Sequence, residues 1–224
     1  VDQHGHDREN ARMEPTQTAL IVAIPEAEEA VGRFRESLDP AASWGVPAHV
    51  TVLYPFLPPQ QINDQALTAL RKTIAGIPRF DVALTHIGWF GDTVVWLAPQ
   101  PDGPFQNLTV AVWQRFPETT PYAGAHTEVV PHLTIGHDAP KPALSHAAET
   151  VSAQLPINAT VDMVRLIAGT PGLSPWRTVC EFPLGADHAD RPDRATDPAV
   201  ADSVRTEGAG PDLDAVRSGR RQHG

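Results

Sequence analysis

One cysteine in 224 residues, Cys180 in the apolar run TVCEF, excludes disulfides within the chain and zinc sites built on cysteine. A buried, inert thiol is the expected state of that side chain. Long apolar runs are equally scarce. The longest, ALIVAI at 19 to 24, is far too short to cross a bilayer, and the polar leader VDQHGHDREN lacks the apolar core of a signal peptide. No membrane contact is expected, and the cytoplasm is the expected compartment. Basic residues are few as well: from Met13 to Gly185 there are nine Lys and Arg against sixteen Asp and Glu. No basic stripe is available to track a long nucleic-acid backbone. The one dense basic run, SGRRQHG, lies at the very end of the chain.

What is present is the composition of an ordinary soluble protein, 41% hydrophobic and 20% charged, with a formal net charge of −10. A length of 224 residues suffices for one sizeable domain or two small lobes. After LGAD at 184 to 187 the chain shifts to mixed charges with scattered Pro and Gly, and it has no aromatics and no apolar period. Such composition predicts a disordered tail over 186 to 224. A leader over 1 to 15 is likewise expected to be unstructured, and Met13 just before the first apolar run suggests the natural start. That leaves 16 to 185 as the folded domain.

Within it, TALIVAI (18 to 24) predicts a strand and EAEEAVGRFRESL (26 to 38) a helix with Val31, Phe34 and Leu38 at helical spacing. AHVTVLYPF (48 to 56) predicts a second strand, and DQALTALRKTIAGI (64 to 77) a helix. RFDVALTHI and TVVWLA predict strands separated by GWFGD. The order then recurs, with a helix over 104 to 116, a strand over 130 to 136 and a helix over 141 to 155. Last come strands over 158 to 169 and 176 to 184, paired with each other. Two halves of similar plan, α+β in class, point to an internal duplication.

Each half carries His-x-Thr on a strand, in VPAHVTVLYPF at 46 to 56 and in VVPHLTIGH at 129 to 137. Ten His and eighteen Thr in this length give roughly one His-x-Thr by chance, so the bare pattern is weak. Two copies, each flanked by apolar residues in a predicted strand, are a much sharper signal. Alternation puts His49 and Thr51 on one face opposite Val50 and Val52, and His132 and Thr134 opposite Leu133 and Ile135. Two imidazoles supply an acid and a base near neutral pH, and a hydroxyl beside each can donate to a phosphoryl oxygen. Attacking and leaving oxygens lie in line across phosphorus, so a paired arrangement suits that reaction.

The motifs HVTV at 49 to 52 and HLTI at 132 to 135 resemble those of the 2H phosphoesterase superfamily, in particular its 2'-5' RNA ligase and RNA 2',3'-cyclic phosphodiesterase branch. The resemblance spans about 17 to 185, with ALIVAI, Tyr54 and the closing SPWRTVCEFPLG included. It implies a bilobal α+β fold, two pseudo-symmetric lobes of antiparallel sheet with helices, one motif per lobe facing a central cleft. It also implies metal-independent hydrolysis of a 2',3'-cyclic phosphate on a nucleotide or RNA terminus to a 2'-phosphomonoester; no cofactor is expected, and a monomer is the expected state. His49 and His132 would be acid and base in that order, with Thr51 and Thr134 holding the phosphate. Ligation through a 2'-5' bond, or a non-catalytic nucleotide- or RNA-binding module, are the alternatives.

The branch often has an arginine five places after the second motif's histidine; here that place is His137, an imidazole rather than a guanidinium fork. Substrate contacts are also expected from Tyr54, Trp176 and Arg177. Trp176 and Arg177 read either as a base platform with a phosphate contact or as a core Trp beside a surface Arg. Alternation turns Tyr54 away from His49, toward the cleft floor. Trp89, Phe90 and Trp96 read as packing residues. His126, His132, His137 and Asp138 form a loose alternative zinc cluster whose spacing matches no strong ligand pattern.

Overall fold

The computed structural model describes residues 14–120 and 129–185. The expected tail, most of the expected leader and His126 lie outside the described residues. Among the described residues eight strands occur in the order β1 (Gln17–Ala23), β2 (His49–Leu53), β3 (Phe80–Phe90), β4 (Val94–Gln100), β5 (Leu133–His137), β6 (Ile157–Val161), β7 (Met163–Thr170) and β8 (Ser174–Pro183). Between them lie helices α1 (Glu28–Leu38), α2 (Pro40–Ser43), α3 (Asp64–Ile74), α4 (Gly103–Arg115) and α5 (Lys141–Ser152). No described helix is long and apolar enough to cross a membrane.

The helices begin and end where local chemistry dictates. Asn63 caps α3 by accepting from the Ala66 amide, Asp64 opens its first turn, and Arg71 and Lys72 close its last turn against the helix dipole. Pro104 and Pro142 stand in the first turns of α4 and α5, where a missing N–H costs nothing. Each helix buries one stripe, such as Ala66, Leu70 and Ile74 in α3 and Leu144, Ala147, Ala148 and Val151 in α5.

The strands form one antiparallel sheet in the order β6-β3-β4-β5-β2-β1-β7-β8. The two motif strands, β2 and β5, are therefore neighbours at its centre. Only Asp162 separates β6 at one end from β7 near the other. Two peptide units reach about 7 Å, so the sheet must curl until its ends approach. Backbone bonds tie the ends together: the Arg79 amide donates to the Gly185 carbonyl, the Gly185 amide to Ile77, and the Leu184 amide to Asp162. A Cβ on Gly185 would stand 2.4 Å from the Ala75 carbonyl oxygen, so this closure requires glycine.

One face of the sheet, with Leu20, Val22, Val50, Val82, Leu84, Val95, Leu97, Leu133, Ile135, Val164 and Leu166, joins the helices in the main core. Gly136 lets α1 and α5 close on β5, since a Cβ there would meet Leu144 at 2.6 Å and Leu38 at 3.0 Å. The other face carries a small second cluster of Ala19, Ile21, Val46, Ile167 and Trp176, with Ala41, Trp44 and Tyr54 against it.

Two expectations are corrected. The stretch 158 to 169 is two strands broken at Asp162, and only β7 pairs with β8, while β6 crosses to β3. Gly88, Trp89 and Phe90 continue β3, and the turn falls at Gly91, whose φ of +55 suits glycine.

Candidate active site

Val50 pairs with Leu133 across the β2–β5 seam. Carried one residue either way in an antiparallel ladder, this register sets His49 opposite Thr134 and Thr51 opposite His132. The four side chains share the face away from the helices, because Val50 and Leu133 are buried in the main core. Direct partners stand about 5 Å apart and diagonal ones about 7–8 Å. The histidines occupy one diagonal and the threonines the other.

Each imidazole is locked in the same way. His49 Nδ1 lies 2.7 Å from the Pro47 carbonyl and His132 Nδ1 lies 2.7 Å from the Val130 carbonyl, each two residues back. A carbonyl only accepts, so both Nδ1 atoms carry protons, and in the neutral ring Nε2 holds the lone pair. Desolvation by the surrounding protein dominates at His49 and pushes its pKa down to about 4. The Arg35 and His132 charges push the same way, while the Pro47 carbonyl and Asp39 oppose them.

After each motif the strand bulges at the same place. On β2, Ile21 pairs with Thr51 but Leu20 with Leu53, leaving Val52 as the extra residue. On β5, Trp96 pairs with Thr134 but Val95 with Gly136, leaving Ile135. A bulge resets alternation, so the residue five places after each histidine returns to the motif face. That corrects the alternation argument for Tyr54: it packs edge-on to Trp176 at 6.1 Å, in the second cluster, and donates to Gln17 Oε1 at 2.6 Å. His137, paired with Val94, comes to the same face, where it is exposed and its Nε2 lies 3.2 Å from Asp138. The buried Thr109 of α4 donates 2.8 Å to the Val52 carbonyl, satisfying an acceptor that the bulge takes out of the ladder.

Trp176 is buried and lies over Gly169, where a Cβ would meet its ring at 2.6 Å. Arg177 does not join it. It is the next residue of β8 and pairs with Ala168, so strand alternation turns it to the opposite face. Phe90 and Trp96, read as packing, instead border the second histidine. Phe90 meets the His132 ring edge-on at 4.9 Å and stacks on Trp96 at 5.0 Å, and Trp96 lies over Gly88. Nothing in their spacing along the chain signals this, since a hairpin turn and a cross-strand register bring them there. Trp89 does pack on the main core, with the Lys141 ammonium 3.9 Å above its ring. The zinc alternative needs His126, outside the described residues; among those described, no three His, Cys, Asp or Glu gather as a metal site.

The fold is similar to solved structures of low identity. E. coli LigT in its apo form matches at TM-score 0.50 and 21% identity, over 77% of this chain and 99% of that one. E. coli LigT complexed with 3'-AMP matches at 0.52 and 21%, over 76% and 99%. TT0787 of Thermus thermophilus matches at 0.54 and 18%, over 77% and 100%. No curated protein matches by sequence. The sequence profile of the 2'-5' RNA ligase superfamily matches residues 24–171, more than half of the chain and both motif strands. With two His-x-Thr strands side by side in a LigT-like sheet, the chain belongs to the 2'-5' RNA ligase superfamily, among the 2H phosphoesterases.

Proposed function

We propose that the protein is a 2H-type phosphodiesterase that opens a 2',3'-cyclic phosphate, on a nucleotide or RNA end, to a 2'-phosphomonoester. The observation that carries this reading is the β2–β5 register, which sets two tautomer-locked imidazoles on one diagonal and two hydroxyls on the other. Seated between them, the cyclic phosphate accepts hydrogen bonds from Thr51 and Thr134, while Nε2 of each histidine meets the reaction axis from opposite sides. Water attacks phosphorus as one imidazole takes its proton, and the bond from phosphorus to the 3' oxygen breaks as the other imidazole protonates that oxygen. The two imidazoles supply both proton transfers, so the step calls on no metal or cofactor.

The half-buried His49 ring is kept neutral at pH 7 by desolvation. It therefore enters as the base and His132 as the acid, the reverse of the order the resemblance implies. In ligation the 5' hydroxyl of a second strand takes the place of water and the 3' oxygen is again the leaving group, so the two imidazoles keep the same roles and the same geometry suits a 2'-5' ligase. A nucleotide ligand fits the aromatic borders of this face, Tyr54 and Trp176 on one side and Phe90 and Trp96 on the other. The 3'-AMP complex of E. coli LigT supports the same ligand class. The curl of the sheet, with four strands on each side of the β2–β5 seam, supports a bilobal reading in which the two halves wall a cleft. His137 stands at the rim as a phosphate contact, and Arg177 is left out.

The test is turnover of 2',3'-cyclic nucleotides, cyclic-phosphate-ended RNAs and 2'-5'-linked dinucleotides. Release of a 2'-phosphomonoester by the wild type, and its loss in His132→Ala, are expected. Binding without turnover of any of these would overturn the reading.

A further inference from the structure

The segment that carries His49 is gripped by the first helix. In α1 the Arg35 guanidinium is buried, with Nε and Nη2 donating to Asp39 Oδ2 at 3.2 and 2.9 Å. The same Nη2 donates 3.1 Å to the Val46 carbonyl. Asp39 Oδ1 accepts from the Ala41 amide at 3.0 Å, and the Val46 amide donates back to Ala41. Two residues on, the fully buried Ala48 donates its amide to Glu28 Oε1 at 2.6 Å, while its carbonyl accepts from Ile24. Gly32, one turn along α1, leaves room for that carboxylate, since a Cβ there would lie 3.3 Å from Glu28 Oε2. Pro47, between the two gripped residues, presents the carbonyl that fixes the His49 ring.

A buried ion pair adds little to stability on its own, because desolvating both charges offsets their attraction. Its geometry is more informative than its strength. Arg35 directs a donor at the one backbone carbonyl that sets the path into the motif strand. We infer that Glu28, Arg35 and Asp39 are positioning residues, holding the backbone of 46–48 so that the Pro47 carbonyl aims His49 Nε2 at the reacting phosphate. The inference rests on the proposed function for its catalytic consequence, though the clamp itself is a property of the free protein. Arg35, Asp39 and His132 are the charged or titratable groups that act on His49.

The test uses the full chain and four variants: Glu28→Ala, Glu28→Gln, Arg35→Lys and Asp39→Asn. Glu28 is exposed, so its variants fold even if the buried ones do not. A misplaced catalytic group costs about ten- to a hundredfold in rate. Glu28→Ala and Arg35→Lys should lower kcat by that factor with KM changed less than about twofold, whereas Glu28→Gln, which keeps an acceptor for Ala48, should retain the wild-type rate. Independently of turnover, the imidazole ¹⁵N spectrum of the free wild type at about pH 7.5 should show His49 protonated at Nδ1, and Glu28→Ala should show a mixture of tautomers. If Glu28→Ala keeps both the wild-type His49 signals and the wild-type rate, the inference is overturned. A wild type inactive on every substrate would sink the proposed function, and the spectra would still decide the clamp.

Discussion

His49 offers a prediction that needs no substrate. Its imidazole has a pKa of about 4 in the folded protein, mainly through desolvation, against an ordinary value of 6.5 in the unfolded chain. The folded state thus binds fewer protons than the unfolded state between these two values, and stability rises with pH across that window. The contribution is fully present above about pH 6.5 and is lost as pH falls toward about 4. At about pH 5 the unfolded imidazole is almost wholly protonated while the folded one is about nine-tenths neutral, so linkage removes about 2 kcal/mol relative to pH 7.5. His49→Gln has no such proton to bind. Urea unfolding at the two pH values should show the wild type losing about 2 kcal/mol more than the variant. The same value appears in catalysis, because kcat/KM reports the free enzyme: with His49 as base its acid limb falls near pH 4 instead of about 6.5. Wild type and variant whose stabilities track within about 0.5 kcal/mol, or a rate that climbs as pH drops toward about 4, would refute the placement of His49 as a half-buried neutral base.

Three further outcomes are expected. His49→Ala and His132→Ala should each cost about 10² to 10⁴ in kcat/KM, with the double variant little worse than either single, which a steady-state comparison of the three checks. Thr109→Val should cost about 1–3 kcal/mol in urea unfolding, since it strands the buried Val52 carbonyl, and should change the environment of Tyr54 by releasing the bulge. With few cations on the folded part, kcat/KM for a cyclic-phosphate-ended RNA of about ten nucleotides should exceed that for a cyclic mononucleotide only modestly. Its log-log salt slope should stay near one or two phosphate contacts, each worth about 0.7 to 0.9; a slope of several units would reveal a basic surface.

Much of this arrangement is legible in the chain because periodicity is local. Val31 and Phe34, or Leu70 and Ile74, mark a buried helical stripe in a single window, and alternation through HVTV and HLTI separates an apolar from a polar face without any knowledge of neighbours. Legibility fails where one residue changes the phase. Asp162 divides what looks like one long strand, and its two halves go to opposite ends of the sheet. Val52 and Ile135 are ordinary strand residues by composition, so nothing local marks them as bulges, and simple alternation sends Tyr54 to the wrong face for that reason. Arg177 shows the opposite error, since nearness to Trp176 along the chain suggests a shared site that alternation denies. Arg35 looks like a surface cation of an amphipathic helix until Asp39 and the Val46 carbonyl are seen around it.

The two bulges also explain a spacing that a regular strand would not permit. Counting from each histidine, unbroken alternation puts the second and fourth residues after it on its own face, and a site needing the histidine, the threonine and one more group would draw that group from the fourth. Here the fourth residue is Leu53 on β2 and Gly136 on β5, and both belong to the helix-facing side. The extra residue, third after the histidine, moves the third group to the fifth place, where the strand is already ending and its side chain can reach past the pleat. Tyr54 uses that reach to pack on Trp176, and His137 uses it to stand exposed at the rim beside Asp138. A regular strand would have fixed the third group flat against the sheet, beside the histidine and threonine. By displacing that group outward, the bulges leave the face that carries both imidazoles and both hydroxyls uncovered, with Tyr54 and His137 at its borders.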